Sequence, residues 1–128
     1  MRYMFDIPEK LPSLNEVINK NRGNRYAGAN MKKDLEATIC LYIRDAMRKG
    51  TLSVITKPCC VKFTWYERTK RRDVDNIQSS QKFVLDALQK SGILQNDSRK
   101  WVRQIMHEVV DADHDGVLVE LIEEADTT

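Results

Sequence analysis

The sequence predicts one α+β domain, a mixed β-sheet with helices packed against it, over residues 1–128 and in the order of about β-α-α-β-β-α-β-β. Three observations carry this. The length of 128 residues suits a single hydrophobic core without a linker. Apolar residues alternate with polar ones near both ends of the chain, the period of half-buried strands. Between those ends lie helical patterns separated by a β-branched, aromatic stretch.

Tyr3, Phe5 and Ile7 mark a first strand over residues 2–7, ended by Pro8 and Pro12. Ser13-x-x-Glu16 is a capping box ahead of Leu14, Val17 and Ile18, so a short helix starts there. It leads into NKNRGNRYAG, whose Gly and Asn content reads as a loop carrying Lys20, Arg22 and Arg25. A longer helix covers about 29–48, with Leu35, Ile39, Tyr42, Ile43 and Ala46 in one stripe and Gly50 as its stop. Residues 53–66 read as one interrupted strand or two, with Pro58 at an edge or bulge. A helix is expected over 76–90, burying Ile77, Val84, Ala87 and Leu88 and ending at Gly92. Residues 101–110 and 117–122 alternate on either side of Asp111-Ala-Asp-His-Asp-Gly116 and read as a β-hairpin; Thr127 and Thr128 are expected to fray.

With 41% apolar and 31% charged residues, the composition is that of a globular chain rather than a disordered or collagen-like one. No apolar run is long enough for a bilayer, and Asp6 and Glu9 interrupt any signal core, so a cytoplasmic protein without a membrane partner is expected. Cys40, Cys59 and Cys60 have no C-x-x-C spacing and read as buried or half-buried thiols. Net charge is only +2, but it is divided unevenly. Residues 1–72 hold 16 Lys and Arg against 7 Asp and Glu, whereas residues 73–128 hold 5 against 12. Such a division suits a protein that grips phosphates with one surface and holds cations with another, although solvated faces alone would explain it too.

Asp73 and Asp75 stand at a strand-to-helix junction, and in extended chain such neighbours point to the same face. Two carboxylates about 4 Å apart repel by roughly 4 kcal/mol at an effective dielectric near 20. A shared proton, nearby cations or a bound metal must offset that, and Mg²⁺ commonly takes one or two carboxylates. The alternative is that Asp75 or Asn76 caps the following helix, and the D-x-D spacing alone fits this better. The basic run Lys70-Arg71-Arg72 directly before the acids, and the further acid Asp97 after the helix, favour a metal meeting a phosphate.

Taken together, RRDVDNIQSSQKFVLDALQKSGILQND resembles the central signature of the RusA family of Holliday-junction resolvases. The matching positions are Arg72, Asp73, Asp75, Asn76, Leu85-Asp86-Ala87-Leu88, Gly92 and Asn96-Asp97, and PSLNEVINKNRGNRYAG looks like the phage-borne branch. The resemblance implies a Mg²⁺-dependent homodimer that cuts four-way DNA, with Asp73, Asp75 and Asp97 as catalytic metal ligands. Asn96 replaces the first acid of the family's Asp-Asp pair, which leaves Asp97 as the third acid. The family's catalytic lysine maps onto Ser79 counting from Asp75, and onto Lys82 counting back from Leu85. On one continuous helix Asp75 and Lys82 would project within about 20° of each other. Lys82 is therefore expected at the phosphate, with an ion pair to Asp86 as the alternative. Lys70, Arg71, Arg72, Arg22, Arg25, Lys32 and Lys33 are expected to contact the DNA backbone, which positions DNA without reading its sequence. The rival functions are a non-catalytic DNA-binding recombination accessory protein and a nuclease for flaps or forks.

Asp111-x-Asp-x-Asp-Gly116 matches half of a calcium loop, but the twelfth position is Ile122 and strands flank it, so a polar turn is expected. His107 and His114 have no local partner and are assigned to no metal. Trp65 and Trp101 sit in strand patterns and are expected in the core rather than against bases.

Overall fold

The computed structural model describes residues 1–23 and 25–124, and of residues 19–23 and 25–27 the backbone alone. The elements are β1 (Arg2–Ile7), α1 (Leu14–Gly23), α2 (Arg25–Lys49), β2 (Cys59–Glu67), α3 (Val74–Gln78), α4 (Gln81–Lys90), β3 (Val102–Asp111) and β4 (Gly116–Glu123). The strands form one mixed sheet in the order β1-β4-β2-β3. β4 runs antiparallel to both neighbours, while β2 and β3 are parallel, joined through α3 and α4. The expected architecture, a mixed sheet with helices packed on it, is the one found.

Alternation decides which face is covered. Phe5 and Ile7 of β1, Val61, Phe63 and Trp65 of β2, and Val117, Val119 and Leu121 of β4 are buried in one cluster. The same cluster takes in Ile39 and Ile43 of α2 and Val84 and Leu88 of α4. The residues between them on the strands, such as Met4, Lys62, Tyr66 and Met106, are exposed or half-buried. Among the three free thiols, Cys59 is buried and its pKa is pushed up to about 11, chiefly by loss of hydration.

The element ends follow local rules. Ser13 accepts the Glu16 backbone N–H through its Oγ at 3.2 Å and starts α1 as the capping pattern predicts. Gly50 (φ 81°) and Gly92 (φ 80°) end α2 and α4 in the left-handed region. At each, the next residue's N–H reaches back five positions: Thr51 to Ala46 at 3.0 Å, and Ile93 to Leu88 at 3.0 Å. A side chain at either glycine would be strained by its own backbone.

Four sequence expectations need correction. β3 and β4 do not form a hairpin, because β2 lies between them. Alternation marks a strand but not its partner, and neighbouring strands are only about 4.8 Å apart. The four residues 112–115 are long enough to step over the end of β2, where Ala112 donates to the Glu67 carbonyl at 3.0 Å and Arg68 N–H to Asp115 Oδ1 at 2.9 Å. Second, the stretch read as a loop over 19–28 is helical on both sides of position 24. Packing of α1 on α2 outweighs the weak helix propensity of its Gly and Asn residues. Third, of the one interrupted strand or two expected over 53–66 there is a single strand, and it covers only Cys59–Glu67; the preceding segment is tied down by Ile55 N–H to the Ile93 carbonyl at 2.9 Å. Fourth, the helix expected over 76–90 is two helices broken at Ser79 and Ser80.

No helix among the described residues is long and apolar enough to cross a membrane. The side chains of Lys20, Arg22 and Arg25, expected at the DNA or in the loop leading to it, lie outside the described residues, as do Thr127 and Thr128.

Candidate active site

The segment leaving β2 is held by an inward-facing arginine. Arg72 donates through Nε to Glu67 Oε1 at 3.0 Å, through Nη2 to Glu67 Oε2 at 2.9 Å and through Nη1 to the Leu11 carbonyl at 2.9 Å. The two charged side chains are only 11% and 6% exposed. This bidentate pair fixes the loop immediately before Asp73, and it commits to the protein interior a guanidinium that the sequence had suggested for DNA.

Asp73 occupies the N-cap position of α3 with extended backbone (ψ 155°), yet its side chain makes no capping hydrogen bond. Asp75 lies in the first turn and uses one oxygen, Oδ1, to accept the Asn76 N–H at 3.0 Å. Both are exposed. The capping alternative named Asp75 or Asn76, but the N-cap position falls on Asp73, and a backbone N–H engages only one oxygen of Asp75. What remains are hard oxygen donors beside a helix N-terminus, a set whose chemistry suits Mg²⁺.

The break after α3 is built by two serines. Ser79 Oγ accepts the Leu14 N–H at 3.0 Å and donates to the Asn76 carbonyl at 2.6 Å. Ser80 Oγ donates to the Pro12 carbonyl at 2.7 Å. Asp75 and Lys82 consequently do not share one continuous helix, and the helical phase between them cannot be used to place the lysine. Ser79 is a structural tie.

Lys82 instead faces a separate recess. A cleft of about 260 Å³ is lined by Gln81, Lys82, Leu85, Asp86, Asp97 and Ile105, so the structure brings Lys82 and Asp97 together. Lys82 also pairs with Asp86 at 3.5 Å, and it stays 55% exposed. Among the described residues, no three His, Cys, Asp or Glu side chains gather closely enough to hold an ion together. Asp73 and Asp75 thus form one acidic edge, and Asp97 with Lys82 a second.

Four cations expected at DNA are exposed: Lys70, Arg71, Lys32 and Lys33. Lys70 has a loose contact with Asp111 at 3.8 Å, and Lys32 one with Glu36 at 3.9 Å, both weak solvent-screened pairs. His114 sits at 2.8 Å from Asp113 and against Tyr66, consistent with a polar turn. Sequence reasoning missed the role of His107. Trp65 donates its indole N–H to His107 Nδ1 at 3.0 Å, and His107 Nε2 meets Gln81 Oε1 at 3.0 Å. Burial lowers the His107 pKa below its ordinary value. Its partners come from β2 and α4, so no local spacing could have revealed them.

The fold and the acidic edge beside a basic loop define a DNA-cutting enzyme once the comparison with known families is added. The family model described as endodeoxyribonuclease RusA matches residues 7–122. The chain belongs to the RusA endodeoxyribonuclease family. A search of curated proteins finds no match to the chain.

Proposed function

We propose that this protein is a Mg²⁺-dependent, structure-selective endonuclease that resolves four-way DNA junctions as a homodimer. The observation that carries the reading is the pair of exposed carboxylates at the N-terminus of α3, Asp73 without a capping bond and Asp75 with one oxygen engaged by the Asn76 N–H, in a chain of an endodeoxyribonuclease family. Asp73 and Asp75 would hold the ion, and Asp97 would serve the reaction from the second acidic edge, beside Lys82. When bound, Mg²⁺ supplies Lewis acidity toward a phosphate and lowers the pKa of a water. The rest falls to the side chains. Arg72 and Glu67 hold the loop that presents the acids. Lys82, on the Asp97 side, offers an ammonium to a phosphate oxygen or to the leaving oxygen. Lys70, Arg71, Lys32, Lys33, Arg22 and Arg25 would grip the backbone, so that junctions are selected by shape.

The deciding experiment is cleavage of a synthetic four-way junction, a flap, a fork and a linear duplex, with Mg²⁺ and with excess chelator. Paired nicks in the junction arms with Mg²⁺ alone are expected. Preferred cutting of flaps or forks would reassign the substrate, and binding without cutting would indicate an accessory protein. If six or so phosphates are gripped, log K should fall against log salt with a slope of about −5. A flat salt response would remove the basic residues from the interface. Two opposed nicks need two acidic sites, so light scattering should give twice the 14.9 kDa chain mass. A fully active monomer would refute the dimer. Lys82→Ala is expected to lower kcat by about a hundredfold, like loss of one preorganised donor, with little change in melting temperature. A wild-type rate would leave Lys82 as the partner of Asp86 only.

A further inference from the structure

Beside the Lys82–Asp97 cleft stands a polar relay whose protons can be assigned from donor chemistry alone. An indole N–H only donates, so His107 Nδ1, 3.0 Å from Trp65 Nε1, must accept. The ring's proton then lies on Nε2, which donates to Gln81 Oε1 at 3.0 Å. With its oxygen engaged by His107, Gln81 keeps both N–H groups of its amide to donate in the cleft it lines. Among the described residues nothing else hydrogen-bonds those groups.

The relay is rigid. The His107 ring stacks 5.2 Å from Phe63 at 12° and 6.1 Å from Trp65 at 16°, and Phe63 stacks on Trp65 at 5.2 Å. Phe63 and Trp65 are buried, so the imidazole cannot swing without disturbing the sheet core. Gln81 is thereby fixed as a donor next to Lys82 in a cleft whose lining also includes Asp86, the partner of Lys82 at 3.5 Å, and Asp97.

We propose that Gln81 donates its amide N–H to an oxygen of the DNA phosphodiester in this cleft, and that His107, locked between Trp65 and Gln81, is the residue that positions it. This rests on the reading of Lys82 and Asp97 as part of the active site. It adds two residues to that site, one contacting substrate and one acting through it.

The test pairs spectroscopy with kinetics on the full chain. Long-range ¹H–¹⁵N correlation of the histidine ring should show His107 as the Nε2–H tautomer at neutral pH, and an Nδ1–H tautomer would overturn the proposal. Gln81→Glu keeps an acceptor for His107 but removes the donors, and Gln81→Met removes the donors without adding charge, together with the oxygen that accepts the His107 Nε2–H. Both are expected to lower kcat/KM for a Mg²⁺-dependent four-way junction cut by about tenfold or more, with a melting temperature close to wild type. Trp65→Phe keeps an aromatic ring in the stack but frees Nδ1; a mixed His107 tautomer with a partial loss of rate is expected. Wild-type rates in both Gln81 variants while Asp97→Asn is inactive would overturn the role of Gln81 and leave the cleft assignment standing. Wild-type rates in Asp97→Asn and Lys82→Ala as well would overturn the cleft assignment, and this proposal with it.

Discussion

Asp75→Asn is expected to lower Mg²⁺-dependent junction cleavage by at least about a thousandfold, the upper range for loss of one preorganised charge-stabilising group. Junction binding should persist or tighten, because a negative charge beside phosphate is removed. The substitution leaves an oxygen that can still accept the Asn76 N–H, the bond Asp75 Oδ1 makes at 3.0 Å, so the first turn of α3 should keep its geometry. A gel-shift measurement without metal and a cleavage assay with Mg²⁺ separate the two effects. Loss of binding in step with cutting would mean that Asp75 serves the helix rather than an ion. Asp73→Asn tests the same edge from a residue with no capping bond to lose.

Arg72→Ala is expected to destabilise the fold by about 3–5 kcal/mol, the usual cost of leaving one partner of a buried pair uncompensated. For a chain of this length that corresponds to a fall in melting temperature of roughly 10–20 °C. Glu67, 6% exposed, would keep its charge without a counterion, and the Leu11 carbonyl would lose its donor. The double replacement Glu67→Leu with Arg72→Met removes both charges and should recover much of that loss, since well-packed apolar replacements of buried pairs are often neutral. Calorimetry on the two variants decides it. A melting point for Arg72→Ala within about 2 °C of wild type would mean that the pair is solvent-screened and that Arg72 is available to DNA after all.

Most of the architecture could be read from periodicity because each element buries one regular face. Leu35, Ile39, Ile43 and Ala46 mark α2, and Phe5 and Ile7 mark β1, at the spacings their burial requires. Capping chemistry was equally legible at Ser13, Gly50 and Gly92, where one residue's local geometry decides the outcome. Pairing was not. The insertion of β2 between β3 and β4 depends on contacts between residues about 50 positions apart, such as Trp65 with Val117, and nothing local encodes them. The site divides in the same way. The acids were visible as a motif in the chain, and so was the basic run. The inward turn of Arg72 was hidden because its partners are Glu67 and the Leu11 carbonyl. The helix break escaped notice because Ser79 and Ser80 answer to Leu14 and Pro12 across the fold.

Those last contacts concentrate on a very short stretch. Leu11, Pro12 and Leu14 are bonded to Arg72, Ser80 and Ser79, and Asn15 reaches Asn76 at 3.2 Å. The linker between the first strand and the first helix, with the first two residues of that helix, therefore works as a hinge pin for the acidic edge, although it carries no catalytic group itself. Lengthening or shortening that linker by a single residue would shift the carboxylates relative to a bound strand while every strand of the sheet stayed paired. A library of insertions across the N-terminal third should accordingly show a narrow window, from Leu11 to Asn15, in which folding survives and cutting is lost.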